Sequence, residues 1–495
     1  MRGFIVALLA ILLVAADTSH DSKQLLLNAE YAEKPAPILW EAARNGSEVA
    51  ETRLVAWASL NNSEYWLNKL VALDNADAAW ALYQLIGDDE KSDRLMGLAA
   101  IGNVPEAQLA YGMATEDPKK RETWLKRAAK QGYLPAQAAL ADWYMLNEQP
   151  EEARAWLRIT ANDYPQSAFQ YGRLLWDDGN RDAARNWIEQ AADGGHVMAE
   201  KVKRVLADYA PFKAGNVRAR NWQNADCAQR VGVFATSLST IVKADELVGA
   251  FRKDRRFNNL AVCLDNPVWL EKGTLDCQAE YKGQPRLGCD VRPLANAVEK
   301  RQLTHAIVVS EQGKANVNNG VMFLDLIDSY AVLVHELAHF AGFVDEYALG
   351  KNAAERYCGS GDAPNLIFDG KLTYAPLSTL DNWQNLQPGV GIWPAQSCAR
   401  SDIRAYKPSG HITFLEHHDS GDIPPIYMAL WRQQLTRPTA QRPIFMNLFQ
   451  AFQKAEQTPQ ASKWLNRYNG FLGASNDEES SRKTDIERED LPAQF

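Results

Sequence analysis

The residues of this chain whose types and spacing can do chemistry are His335-Glu336-Leu337-Ala338-His339. Histidines four apart on a helix sit one turn above each other, so both imidazoles can meet one metal ion. Glu336 is offset by one residue, where its carboxylate can reach a water on that metal without being a ligand. Zinc brings the pKa of such a water toward about 7, and the glutamate then takes its proton and passes it to a leaving amine. The pattern has only three fixed positions in a chain with eight histidines, so its surroundings must support it. The bland alternative is a buried helix carrying two hydrogen-bonded histidines.

The surroundings favour a site. A helix is expected from near Asp328-Ser329, either of which can cap it, to about Phe340. Val332, Leu333, Leu337 and Phe340 give it an apolar face, so it should be buried and rigid. Two short apolar runs, His305 to Val309 and Val321 to Leu324, read as strands joined by a Gly- and Asn-rich turn. The second precedes the helix closely, and a sheet edge beside a metal is where a peptide can lie as an added strand. Gly342 can take the left-handed conformation that ends the helix. The full frame is His335-Glu336-x-x-His339-x-x-Gly342-x-x-Asp345, followed by Glu346-Tyr347.

This frame resembles that of the metzincin peptidases, which implies a Zn2+ ion held by His335, His339 and a third ligand at Asp345, with Glu336 as general base. Carboxylate oxygen is an acceptable zinc ligand. The Asp-Glu-Tyr ending also resembles the bacterial IgA-peptidase-like zinc peptidases, in which the Asp stands one residue farther from the second histidine. Glu346 is therefore the rival third ligand. Tyr406 to Phe414 resembles the segment leading into the methionine turn of that family, with Phe414 in place of Met, and Met428 is the alternative. His411, His417 and His418 read as surface or turn residues, with oxyanion or substrate binding as the functional option. His305 reads as a satisfied core histidine, and His196 as part of a repeat turn.

The elements upstream are of another kind. From about Tyr31 to Tyr209 the chain reads as helix after helix, rich in Ala, Leu and Trp. Trp124-Leu125-Lys126-Arg127-Ala128-Ala129 is answered by the segments beginning at Trp156 and Trp187. Pro105, Pro135 and Pro165 each open a helix, at the first turn, where the missing N–H costs nothing. A period of about 30 residues is that of a helix-turn-helix solenoid. The repeats resemble the tetratricopeptide class and, more closely, Sel-one-like repeats, with their Ala-Ala-x-x-Gly turn at Ala128 to Gly132 and Ala191 to Gly195. The likeness is degenerate before Leu95. Trp124, Trp143, Trp156, Trp176 and Trp187 are expected to pack between helices, and the concave face of such an array can dock a partner.

Met1-Arg2, the apolar run Phe4 to Ala16 and its small-residue end Val14-Ala15-Ala16 have the order of a signal peptide cleaved near Ala16. Export to the periplasm or beyond is expected, with no stable membrane span afterwards. The six cysteines then imply disulfides. Cys277 and Cys289 can close a hairpin and Cys358 can reach Cys398, but spacing alone leaves the connectivity open. The net charge of −9 is spread among scattered Lys, Arg, Asp and Glu, which excludes a concentrated phosphate-binding face and hence nucleic acid. The expected organisation is a signal peptide (1–16), an all-α helical-repeat solenoid (22–210), an α+β zincin-type peptidase domain (211–470) and a disordered polar tail (471–495). The function expected is zinc-dependent cleavage of protein or peptide substrates. The alternative is a repeat-based scaffold whose metal site is structural or vestigial.

Overall fold

The computed structural model describes residues 21–87, 92–222, 226–281, 286–360, 362–368 and 378–473. The signal-peptide segment and the tail beyond Gly473 lie outside these. The chain divides into two compact units, Met1–Lys203 and Arg204–Phe495. The division falls inside the helix Val197–Asp208, slightly before the boundary expected from the change of texture at Pro211. No helix among the described residues is long and apolar enough to cross a membrane.

The first unit is a run of antiparallel helix pairs beginning at Ala36, Glu64, Ser92, Pro118, Pro150 and Arg181. Pro105, Pro118, Pro150 and Pro165 stand at the start of their helices, and Pro135 in the first turn of its own. The repeated alanines are the contact residues: Ala128, Ala129, Ala191 and Ala192 are buried, as are Leu125, Leu157 and Ile188 between them. Large aromatic rings fill the flanks, with Trp124 edge-on to Tyr111 and Trp187 edge-on to Tyr171. Pairing continues back to Ala36, well before the tryptophan motif becomes visible. His196 accepts from the Ala199 amide through Nδ1 and so caps the last helix.

The second unit is built on a mixed sheet in the order β2-β1-β6-β8-β7, where β1 is Gln229–Ala235, β2 Val262–Leu264, β6 His305–Val309, β7 Asn316–Asn318 and β8 Val321–Leu324. β3 (Val268–Trp269) extends it beside β1, and β4 (Cys277–Gln278) pairs with β5 (Gly288–Cys289) outside it. β1, β2, β6 and β8 are parallel, and only β7 is antiparallel. The sheet is thus nearer to alternating strands and helices than to the segregated α+β arrangement expected. One correction follows for the edge: β8 is interior, and the edge beside the helix is β7, within the stretch read from sequence as turn. Asn319 and Gly320 form a two-residue loop with φ of 43° and 76°, the type I′ geometry that matches strand twist.

Phe234, Val308, Phe323, Leu448 and Trp464 belong to one core cluster, which Phe471 joins from the last helix, Thr458–Gly473. Residues 471–473 are therefore helical rather than the start of a disordered tail: the apolar ring of Phe471 has a core to pack on. Three disulfides lie in this unit, Cys227–Cys263, Cys277–Cys289 and Cys358–Cys398. They fit an oxidising extracellular or periplasmic compartment.

Candidate metal centre

The site helix runs Tyr330–His339, capped by Ser329, whose side chain accepts from the Val332 amide. Its apolar positions Leu333, Leu337 and the following Phe340 are buried as expected. Tyr330 donates to Asp254 at the start of the helix, and Gln229 of β1 donates to the Phe340 carbonyl at its end. Gly342, at φ 82°, turns the chain back by the 6→1 and 5→2 bonding pattern, Phe343 N–H to Ala338 O and Gly342 N–H to His339 O.

That turn brings Asp345 to the two histidines. His335 Nε2 lies 3.1 Å and His339 Nε2 3.2 Å from Asp345 Oδ1, and the two Nε2 atoms are 3.3 Å apart. Among the described residues this is the group of metal-capable side chains that converges. Each imidazole is fixed from behind: His335 Nδ1 is 2.8 Å from the Phe414 carbonyl and His339 Nδ1 2.9 Å from the Phe343 carbonyl. A neutral imidazole spends its only N–H on those carbonyls, so both Nε2 lone pairs face Asp345. Asp345 Oδ1 is then buried with no donor. A tetrahedral zinc site with bonds of about 2.0 Å has ligand atoms about 3.3 Å apart, so the triangle fits that ion.

The charges agree. Burial disfavours an imidazolium on His339, but Asp345 outweighs it and raises its pKa to about 10. Burial would raise the Asp345 carboxyl, yet His339 and His335 hold it well below the usual carboxylate range. The cluster favours a cation between its members, whether proton or metal. Glu336 points toward the same place, with Oε2 3.9 Å from His339 Nε2. Burial pushes its carboxyl upward against the pull of both histidines.

Glu346, the rival ligand, is turned away and fully buried. Its Oε1 accepts from Tyr427 at 2.6 Å and Asn365 at 3.0 Å, while Oε2 accepts from Thr413 at 2.6 Å and lies 3.4 Å from Lys407 Nζ. Lys407 also pairs with Glu416. This network aims Asp345 from both sides: Asn365 holds both backbone groups of Val344, and Ser397 donates to the Asp345 carbonyl at 2.6 Å. Sequence reading missed Asn365, and it placed Lys407 and Thr413 in the segment Tyr406 to Phe414, and Tyr427 beside Met428, without giving them this role. No local signal marks their bonds to Glu346.

Tyr347 was present in the Asp-Glu-Tyr ending but carried no expected role. Its ring lies nearly parallel to His335 with centroids 6.2 Å apart. Burial, then the Asp345 charge and a hydrogen bond to it, hold the phenol well above its usual range. Phe414 is buried beneath the site and supplies the carbonyl under His335, whereas Met428 sits on the helix Pro425–Leu435. The other described histidines of this unit do not join the cluster. His411 is exposed and paired to Asp422, His417 and His418 stack on each other, and His305 is buried beside Phe340 with burial lowering its pKa to about 3.

Glu336, His339, Asp345 and Tyr347 line a cleft of about 600 Å³ that β7 also borders. No protein-family model and no curated protein matches the chain. Among solved structures, a protective antigen of uropathogenic Escherichia coli displaying an SLR fold is similar at a TM-score of 0.30 and 19% identity, over 35% of this chain and 44% of that one. The chain thus spans under half of that protein's length. A Sel1 repeat protein from Oxalobacter formigenes is similar at a TM-score of 0.28 and 18% identity, over 37% of this chain and 86% of that one. Both are loose likenesses to repeat proteins, and neither bears on the metal centre.

Proposed function

We propose that the second unit is a zinc-dependent peptidase and that the repeats of the first unit dock a protein partner or substrate. The observation that carries the enzymatic reading is the convergence of His335, His339 and Asp345 on one point, with Glu336 beside it and not in it. Zinc bound there supplies a Lewis acid and brings a water's pKa near about 7. The protein's own residues do the rest. The carbonyls of Phe414 and Phe343 fix each histidine's tautomer, which presents Nε2 as a ligand. Glu336 Oε2 takes and holds the proton that the attacking water gives up, and delivers it to the leaving amine. β7, which among the described residues pairs with a strand on one side only, orients an extended peptide along the cleft.

A second reading is a repeat-based scaffold with a structural or vestigial metal site. The helical pairing along the whole first unit favours it, since such arrays present extended docking faces. A structural zinc site is closed by four protein ligands, whereas among the described residues this one offers three, beside an open cleft. Glu336→Gln separates the two. The peptidase reading expects zinc to stay bound while turnover of a mixed peptide library drops by roughly 10²-fold or more. A wild-type protein that holds zinc yet cleaves nothing in that library leaves the scaffold reading standing.

A further inference from the structure

The cleft beside the metal centre has a one-signed wall. Arg286, Lys314, Lys351, Arg356, Arg400 and Arg442 line it, Arg286, Arg356 and Arg442 with partners of their own, while the acidic residues among its described lining are Glu336 and Asp345 at the centre itself. This local excess runs against the composition, which carries 62 acidic and 53 basic residues. It is also invisible as a run of charge, because the cations come from five separated stretches of chain. Lys314, Lys351 and Arg400 are exposed, and among the described residues none of them forms an ion pair. Cations gathered in a concavity focus their field into it and raise the local concentration of anions.

We propose that the cleft selects polypeptide segments bearing Asp or Glu on either side of the bond presented to the metal centre. The inference rests on the peptidase reading for what happens to the segment, but its binding part stands on the wall alone. Polypeptide is favoured over other polyanions because β7 borders the same cleft and offers main-chain pairing only to another peptide backbone.

The test uses zinc-loaded full chain and two peptide libraries of equal length, one flanked by Asp and Glu and the other by Ser and Gln. The acidic library should be cleaved with a kcat/KM about 10-fold higher at low salt, and the preference should shrink as salt is raised. Reversing three exposed cations together, in Lys314→Glu, Lys351→Glu and Arg400→Glu, should abolish or invert that ratio. In parallel, the zinc-free Glu336→Gln protein should bind a fluorescent acidic decapeptide about 10-fold more weakly once the three charges are reversed. A ratio near one in the wild type, a ratio that survives reversal, or displacement of the decapeptide by an oligonucleotide of equal charge would each overturn the proposal. Cleavage of neither library together with reversal-sensitive binding sinks the peptidase reading and supports selection of acidic segments by the cleft. Equal cleavage of both does the opposite.

Discussion

The two units bury polar side chains in opposite styles. In the repeats the buried Gln108 and Gln137 are neutral and bond near neighbours in sequence: Gln108 donates to the Ala100 carbonyl, and Gln137 repeats that bond one unit later with Ala129. Beside the candidate site of the second unit, the buried Glu346 and Lys407 are charged, and the partners of Glu346 and His335 are remote. Glu346 reaches Thr413 and Tyr427 across 67 and 81 residues, and His335 reaches Phe414 across 79. A repeat can therefore lose a polar contact and remain a repeat, whereas the candidate metal site is held by a network of remote partners. Low dielectric makes both kinds of bond strong, but only the charged network carries the penalty of an unpaired buried ion.

The sharpest way to break this contrast is at the metal. His339→Ala and Asp345→Ala should each take the protein from about one tightly held zinc per chain to none that survives dialysis, a loss of 10³-fold or more in affinity, read by metal analysis. Leu157→Ala in the repeats should cost about 3 kcal/mol locally and leave zinc content untouched. Zinc retained in both site variants would put the ion elsewhere.

Next in size is the pair Glu346→Ala and Gln137→Ala. The first strips partners from Tyr427, Thr413, Asn365 and Lys407 and should destabilise the second unit by about 3–5 kcal/mol. The second removes one neutral bond and should cost about 1–2 kcal/mol. Hydrogen exchange followed unit by unit distinguishes them: the Glu346 effect should spread through the second unit, and the Gln137 effect should stay within adjoining repeats. Equal costs would remove the distinction between the two styles.

The smallest effect is a titration. Burial raises the Asp328 carboxyl to about 6 at the foot of the site helix, against about 3.9 for an unfolded aspartate. Between those values the folded state holds more protons than the unfolded one, so stability falls as pH rises through the window. Asp328→Asn keeps the oxygen that accepts the Asp325 amide. It should flatten the dependence between about pH 4 and 6 and stabilise the second unit at pH 7 by about 1 kcal/mol, allowing for the group's partial exposure. A variant that keeps the wild-type slope would assign it to another carboxylate.

What could be read from the sequence follows the same division. Repeat helices announce themselves through Pro at the first turn and paired alanines, all within one period. The helices before Leu95 were expected too, but the repeat motif is degenerate there, where two of them start with other caps, Ser47 and Asn75, in place of proline. At the site, His335, His339, Gly342 and Asp345 were legible because helical spacing and one left-handed turn are local matters. The choice between Asp345 and Glu346 was not, since it is made by Asn365, Thr413, Lys407 and Tyr427. The edge strand lay in between: Asn319-Gly320 is a hairpin signal, but Asn316 to Asn318 lack the apolar alternation that marks a strand.

The placement of the bridges has a consequence for how the molecule is made. Every cysteine lies between Cys227 and Cys398, so the repeats contain none. The first unit can complete its covalent structure as soon as it is synthesised, in any compartment. The second cannot, because Cys358–Cys398 joins the helix bearing Lys351 and Arg356 to the segment bearing Arg400, two walls of the cleft. Synthesis and ripening are thereby separated in time: the cleft is finished only after the chain meets an oxidant.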